Sequence, residues 1–263
     1  MGADHREKWA LITGASSGIG KALAFEFASK GYSLFLAGRN EQSLQQIAAE
    51  CARKFGINTE IHLADLSKLE AVNDLALSAA RVDIEILVNN AGFGVQGEFA
   101  KTELDAELKM LNVQLAAMLK LTKALLPGMM ARKSGRILNI ASVYSFAPVP
   151  FQAVYSACKA FMLSFSAALR EELKSSGVTV TVLCPGTTQT EFRARAGIAE
   201  KDKSAGVSAE SVAQIAVLET LRGKHLVIPG FSNRLFVFLA RRLPFAFVPR
   251  FVRFINNARG VNE

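Results

Sequence analysis

Residues 13–20, Thr13-Gly14-Ala15-Ser16-Ser17-Gly18-Ile19-Gly20, follow the short apolar run Trp9-Ala10-Leu11-Ile12 and open a helical pattern. A strand, a glycine-rich turn and a helix in that order leave few folds open. Gly14 permits a tight turn, Gly18 lets the backbone come close to a phosphate, and Gly20 lets the helix lie close to the sheet. The helix N-terminus offers N–H groups and a positive dipole end to an anion. The spacing is GxxxGxG rather than GxGxxG, and three glycines alone also suit an ordinary loop. Their place between strand and helix gives them weight.

The same alternation continues along the chain. Residues 9–13, 33–37, 59–63, 84–88, 136–140, 178–183 and 226–228 are short runs rich in Val, Ile and Leu, without the polar alternation of a half-exposed strand. Residues 19–30, 41–55, 69–80, 104–132, 153–175 and 209–222 carry helical spacing between them. Such alternation predicts one α/β domain, a doubly wound parallel sheet of seven strands with helices on both faces. Ligands in that architecture bind at the carboxyl ends of the strands. No linker or repeat divides the chain, so residues 1–230 read as one domain and 231–263 as a C-terminal extension.

With 31 basic and 23 acidic residues the 263-residue chain carries a net charge of +8. That charge suits an anionic partner (cofactor phosphates, an acidic substrate, a membrane surface), although most basic surpluses are a solvated surface. No helix-turn-helix pattern, aromatic RNA-binding pattern or dense basic run outside the tail points to nucleic acid. Cys51, Cys158 and Cys184 are widely spaced, and His5, His62 and His225 are scattered. Neither a disulfide framework nor a metal site is implied. Reduced thiols suggest a cytoplasmic setting. The first residues are charged, with no apolar run of a signal peptide and with Arg6 where a myristoylation signal wants Ser or Thr. No apolar stretch is long enough to span a bilayer.

Beyond the glycine turn, further motifs fall at strand ends in a fixed order. Asp65-Leu66 follows the third strand, Asn89-Asn90-Ala91-Gly92 the fourth and Pro185-Gly186 the sixth. With Asn112, Ser142, Tyr155 and Lys159 they resemble the short-chain dehydrogenase/reductase family over roughly residues 8–230. The resemblance implies a Rossmann-type fold and hydride transfer between a nicotinamide dinucleotide and a carbonyl or alcohol. It assigns Gly14, Ser16, Ser17, Gly18, Ile19, Gly20, Asp65, Leu66, Asn89, Ala91, Gly92, Tyr155, Lys159, Pro185, Gly186, Thr188 and Thr190 to the cofactor. It also implies a homodimer or homotetramer formed through helices 104–132 and 153–175.

The second strand ends Ala37-Gly38-Arg39-Asn40. No carboxylate stands at Gly38 to bind ribose hydroxyls. Arg39 offers a planar guanidinium for a 2′-phosphate, which points to NADP(H) over NAD(H). The bland reading of Arg39 is a surface arginine.

Tyr155 and Lys159 are four apart on one helix and share a face. A nearby ammonium is expected to lower the phenol pKa and make proton exchange with a substrate oxygen feasible. On spacing alone such a pair is far more often an ordinary helix surface; the surrounding motifs decide. The resemblance gives Ser142 the substrate carbonyl, Lys159 the nicotinamide ribose, and Asn112 a relay water.

Two regions stay open. The resemblance implies that the stretch 191–207 is a mobile lid over the substrate, and its low apolar content and glycines suit flexibility. In the tail, Phe251, Phe254, Ile255 and Ala258 fall on one helical face, with Arg250, Arg253 and Asn257 off it. The tail packs on its own domain or a sister subunit, walls a hydrophobic pocket, or lies on an anionic membrane surface. Similar Pro-broken ends occur in a bacterial branch of the family labelled DltE-like, and the expected substrate is a lipophilic ketone or aldehyde. The competing class is a non-catalytic NADP(H)-binding regulator on the same fold.

Overall fold

The computed structural model describes residues 7–192, 196 and 206–258. A seven-stranded parallel sheet forms its centre, in the order β3-β2-β1-β4-β5-β6-β9. These strands are β1 Trp9–Thr13, β2 Ser33–Gly38, β3 Thr59–Leu63, β4 Ile84–Asn89, β5 Gly135–Ile140, β6 Val178–Leu183 and β9 Leu226–Val227. Two short strands, β7 Thr188–Gln189 and β8 Val207–Ser208, pair beside it. The helices are α1 Gly18–Ser29, α2 Glu41–Phe55, α3 Leu69–Ala79, α4 Leu104–Leu111, α5 Ala117–Ala131, α6 Ala153–Glu172, α7 Ala209–Leu221, α8 Phe231–Arg242 and α9 Val248–Ala258.

β1, β2 and β4 are buried along their whole length, because helices cover both faces. On one face α1, α2 and α7 set Leu23, Phe27, Leu44 and Val217 against Ile12, Leu36 and Val88. On the other, α3, α5 and α6 set Leu75, Leu121 and Leu169 against Leu11, Leu87 and Val180. The edge strand β3 departs from the uniform burial expected of it: Glu60 and Leu63 are exposed. It has a neighbour on one side only.

The predicted helix 104–132 is interrupted. Asn112–Ala116 forms a π-helical turn between α4 and α5. Its Gln114 is buried and donates Nε2 to the Phe93 carbonyl at 2.7 Å. A side chain turned inward in this way is the kind of local demand that π-turns serve, often beside functional sites. Hydrophobic spacing does not reveal it.

The tail helices fold back onto the domain. Ala240 of α8 and Val248 and Val252 of α9 pack against Ala147 and Val149, with Tyr144 and Phe236 beside them. Val248, Val252 and Asn256, spaced by four, turn inward, and Phe254 points to solvent. Phe251 and Ile255 of the expected face are half-buried beside this stripe, Phe251 stacked on Phe236 and Ile255 lining the cavity described below.

A buried polar chain ties β4 and β5 to α6. Asn89 Nδ2 donates to Asn139 Oδ1 at 2.8 Å, Asn139 Nδ2 to Ser166 Oγ at 2.9 Å, and Ser166 Oγ to the Met162 carbonyl at 2.6 Å. Removing the middle member takes from Asn89 its shortest acceptor, leaving the longer contact to Thr122 Oγ1 at 3.4 Å, and takes from Ser166 the N–H it accepts. Asn139→Ala is expected to lower unfolding free energy by about 1–3 kcal/mol in urea titrations at unchanged m-value.

Candidate active site

Chain reversal between β3 and β4 places β1 and β4 side by side at the point where strand order switches. There the loops diverge and a cavity of about 460 Å³ opens. Thr13 and Asn90 hold its two lips together. Thr13 Oγ1 donates to the Val88 carbonyl at 3.1 Å and accepts from the Asn90 and Ala91 N–H groups at 3.0 Å each. Asn90 Nδ2 donates to the Thr13 and Gly14 carbonyls at 2.8 and 3.2 Å. The glycine turn is wedged into this joint. A Cβ on Gly20 would stand 2.3 Å from the Gly14 carbonyl oxygen and 2.5 Å from Asn90 Nδ2, so only glycine fits.

The cavity brings together most of the residues assigned from sequence. Gly14, Ser16, Ser17, Gly18, Ile19, Gly20, Arg39, Asp65, Leu66, Ala91 and Gly92 line one part. Ser142, Tyr155, Lys159, Pro185, Gly186, Thr188 and Thr190 line the other. Two assigned residues lie elsewhere. Asn89 is in the polar chain beneath the site and does not line the cavity, because the last residue of β4 still points into the sheet's packing layer. Asn112, at the π-turn, donates Nδ2 to the Ser67 carbonyl at 3.2 Å and is not part of the lining either. Of the expected lid, Glu191 and Phe192 line the cavity; residues 193–195 and 197–205 lie outside the described residues.

At one end of the cavity Arg39 and Asp65 stand close enough to interact. Desolvation is the largest single effect on Asp65 and raises its pKa, but the lowering effects together exceed it. The Ser67 N–H and hydroxyl donate at 3.1 and 2.9 Å, and the Arg39 and Lys68 charges add to them, so the net shift is downward. This end is ionised and polar. The first turn of α1 walls the middle, with no side-chain capping bond from Ser17.

The opposite end is drier. α6 presents Tyr155 and Lys159 on one face, both nearly fully buried. Tyr155 and Ser142 share a hydrogen bond through their hydroxyls. Lys159 Nζ lies 5.5 Å from the Tyr155 ring centroid and donates to the Ile140 carbonyl at 2.9 Å. Burial pushes the Lys159 pKa down to about 8. Burial pushes the Tyr155 phenol up, against the smaller lowering effect of Ser142. The expectation of a lowered phenol pKa is thus reversed in the protein on its own. The ammonium is spent on the Ile140 carbonyl, and desolvation decides the balance.

Sequence reading missed the apolar and polar walls opposite Tyr155. Phe192 sets its ring 5.7 Å from the Tyr155 ring. Phe236, Ile255 and Asn256 reach the cavity from the tail helices. Gly186 makes that approach possible: a Cβ there would stand 2.1 Å from Asn233 Oδ1 of α8. Tyr144 also lines the cavity and donates its hydroxyl to Asn256 Oδ1 at 3.3 Å. Two pattern clues existed, a glycine after Pro185 and a tyrosine two residues past Ser142, but neither names its tail partner. Among the described residues no cluster of His, Cys, Asp or Glu suits a metal ion. The cysteines are free and buried.

A parallel doubly wound sheet with a glycine-rich turn at its switch point, and a buried Ser-Tyr-Lys set across the crevice, is the framework of a dinucleotide-dependent oxidoreductase. The family model for short chain dehydrogenase matches residues 8–201, and the chain belongs to the short-chain dehydrogenase/reductase family. It is 39% identical over 176 residues to a very-long-chain 3-oxoacyl-CoA reductase of Laccaria bicolor, covering 65% of this chain and 52% of that protein. The human protein of the same name is 36% identical over 191 residues, 70% of this chain and 61% of its own length. The chain thus spans about half to three fifths of these relatives. Dehydrogenase/reductase SDR family member 7B of Xenopus laevis is 34% identical over 256 residues, 90% of this chain and 78% of that protein. Among solved structures, a short-chain dehydrogenase from Sphingobium yanoikuyae in complex with NADPH superposes with a TM-score of 0.81 at 31% identity, covering 90% of this chain and 93% of its own.

The depressed Lys159 pKa has a sign that stability measurements can read. The unfolded lysine keeps its proton up to about its model value of 10.5, whereas the folded one loses it near 8. Stability therefore rises with pH between about 8 and 10.5, and below pH 8 the buried charge is a cost. Lys159→Met is expected to remove that rise and to stabilise the apoprotein at pH 7 by at most about 3 kcal/mol. Urea titrations at pH 7, 9 and 10.5 check both.

Proposed function

We propose that the protein is an NADP(H)-dependent reductase of lipophilic ketones, with long-chain 3-oxoacyl thioesters as the first substrates to try. The observation that carries this reading is the buried Ser142–Tyr155 hydroxyl pair, with Lys159 on the same helix, facing an apolar wall of Phe192, Phe236 and Ile255. The names of the relatives support the thioester choice.

The lining fits the cofactor. Arg39 at the polar end would meet a 2′-phosphate, and position 38 is a glycine with no carboxylate to bind ribose hydroxyls instead. Gly18–Gly20 at the head of α1 would take the pyrophosphate, and Pro185, Gly186, Thr188 and Thr190 the nicotinamide end. When bound, NADPH supplies the hydride.

The chain's own groups handle the oxygen. Ser142 and Tyr155 orient the substrate carbonyl with their paired hydroxyls and exclude water from it. With its pKa raised by burial, Tyr155 holds its proton at neutral pH. It gives that proton up only as the substrate oxygen gains alkoxide character, a far stronger base. A neutral phenol suits reduction better than oxidation. Lys159, protonated at pH 7, sets positive charge behind the phenol as it ionises. Asn112, which donates to the Ser67 carbonyl from the π-turn, would hold the water that links Lys159 to solvent, as the family resemblance implies. Buried thiols fit a reducing compartment. Exposed Leu104, Leu108, Leu119 and Phe161 on α4, α5 and α6 fit assembly through those helices.

Steady-state NADPH oxidation with a panel of ketones, including long-chain 3-oxoacyl thioesters, tests the reading. Tyr155→Phe should retain NADPH binding and lose about 10²–10⁴-fold in kcat; near-normal turnover, or no turnover of any carbonyl by the parent protein, overturns it. Arg39→Asp should move the kcat/KM preference from NADPH toward NADH, and an unchanged ratio removes the 2′-phosphate role.

A further inference from the structure

The two tail helices have faces with opposite character. Inward, Ala240, Val248 and Val252 are buried on the domain. Outward, Phe231, Phe245 and Phe254 are 81%, 77% and 74% exposed, and Phe238, Phe247, Leu235 and Leu239 are also largely uncovered. Of the exposed phenylalanines in the described residues, only Phe99 and Phe161 lie outside this segment. Aromatic rings that fill no core, gathered on one element, mark a contact surface.

The charge of the same segment is one-sided. Residues 231–262 contain no Asp or Glu, while Arg234, Arg241, Arg242, Arg250, Arg253 and Arg259 fall within them. Arginine and phenylalanine are interleaved rather than segregated: the Arg242 guanidinium stands 4.7 Å from the Phe238 ring centroid. A second copy of the chain seated on this face would set one arginine row against another. A surface with phosphates outside and an apolar layer beneath matches both features at once.

We propose that the α8–α9 hairpin docks the protein on an anionic lipid bilayer surface, its outward phenylalanines entering the headgroup–acyl boundary and its arginines meeting lipid phosphates. The helices lie on the surface and do not cross it; no helix among the described residues is long and apolar enough to span a membrane. Because Phe236, Ile255 and Asn256 on the same two helices wall the cavity, docking sets the lipid beside the route to Tyr155. Docking itself does not rest on the proposed substrate, and its test uses none.

The test is co-sedimentation of the full chain with phosphatidylcholine vesicles containing or lacking phosphatidylglycerol. Binding is expected to the anionic vesicles, to weaken as salt rises, and to fall at least about tenfold in Arg241→Glu/Arg242→Glu and in Phe231→Ser/Phe245→Ser/Phe254→Ser. Both variants should keep the parent thermal midpoint and the parent NADPH affinity, since the substituted side chains do not line the cavity. Failure of the parent protein to bind anionic vesicles overturns the proposal, as does equal binding by the variants. A parent dimer that the serine variant converts to monomer in sedimentation velocity, with no vesicle binding, assigns the face to self-association and overturns it as well.

Discussion

The joint between β1 and β4 is the constraint on which the rest depends. The Thr13 and Asn90 side chains make five hydrogen bonds across the switch point, each with a backbone group at the ends of β1 and β4 or in the loops that follow. Two parallel strands whose loops leave in opposite directions would otherwise part at their carboxyl ends. Fixing them together gives the glycine turn a rigid seat, and Gly20 shows how tight that seat is. A crevice built on such a joint can present backbone N–H groups without the entropy of a loose loop.

Across the crevice the chemistry is governed by dehydration. β5 and α6 are tied by Asn139 and Ser166 beneath the site, and above them Tyr155 and Lys159 are shut away from water. Burial moves their proton affinities in opposite directions, the phenol up and the ammonium down, because each loses solvation of its charged form. The result is a proton held on Tyr155 and a lysine only just kept charged at neutral pH. Pairs of titratable groups pushed apart in this way are characteristic of acid–base sites.

The tail helices turn a general crevice into a bounded one. Gly186 admits Asn233, and Tyr144 reaches Asn256, so α8 and α9 become part of the wall. The inner face is selected for small and branched side chains that fit the domain; the outer face is free of that demand and carries aromatic rings and guanidinium groups instead. The two faces account for the unusual composition of the last thirty or so residues.

Most of the framework was legible in the sequence because it depends on local pattern. Runs of buried aliphatic residues marked β1 and β6 to the residue, and helical spacing marked α2 likewise; the bounds of β3 also held, although its residues are not buried. The motifs at strand ends located the crevice, since strand order forces their convergence. What sequence did not determine are features that arise when distant segments share space. The π-turn answers Gln114's need for the Phe93 carbonyl. Asn89 serves the core because β4 and β5 bring it to Asn139. The direction of the Tyr155 shift follows from dehydration, which no spacing of Tyr and Lys encodes. The inward stripe of α9 is set by the surface it meets at Ala147 and Val149, about a hundred residues earlier in the chain. Periodicity fixes which residues share a face, but only the packed structure decides which face is buried.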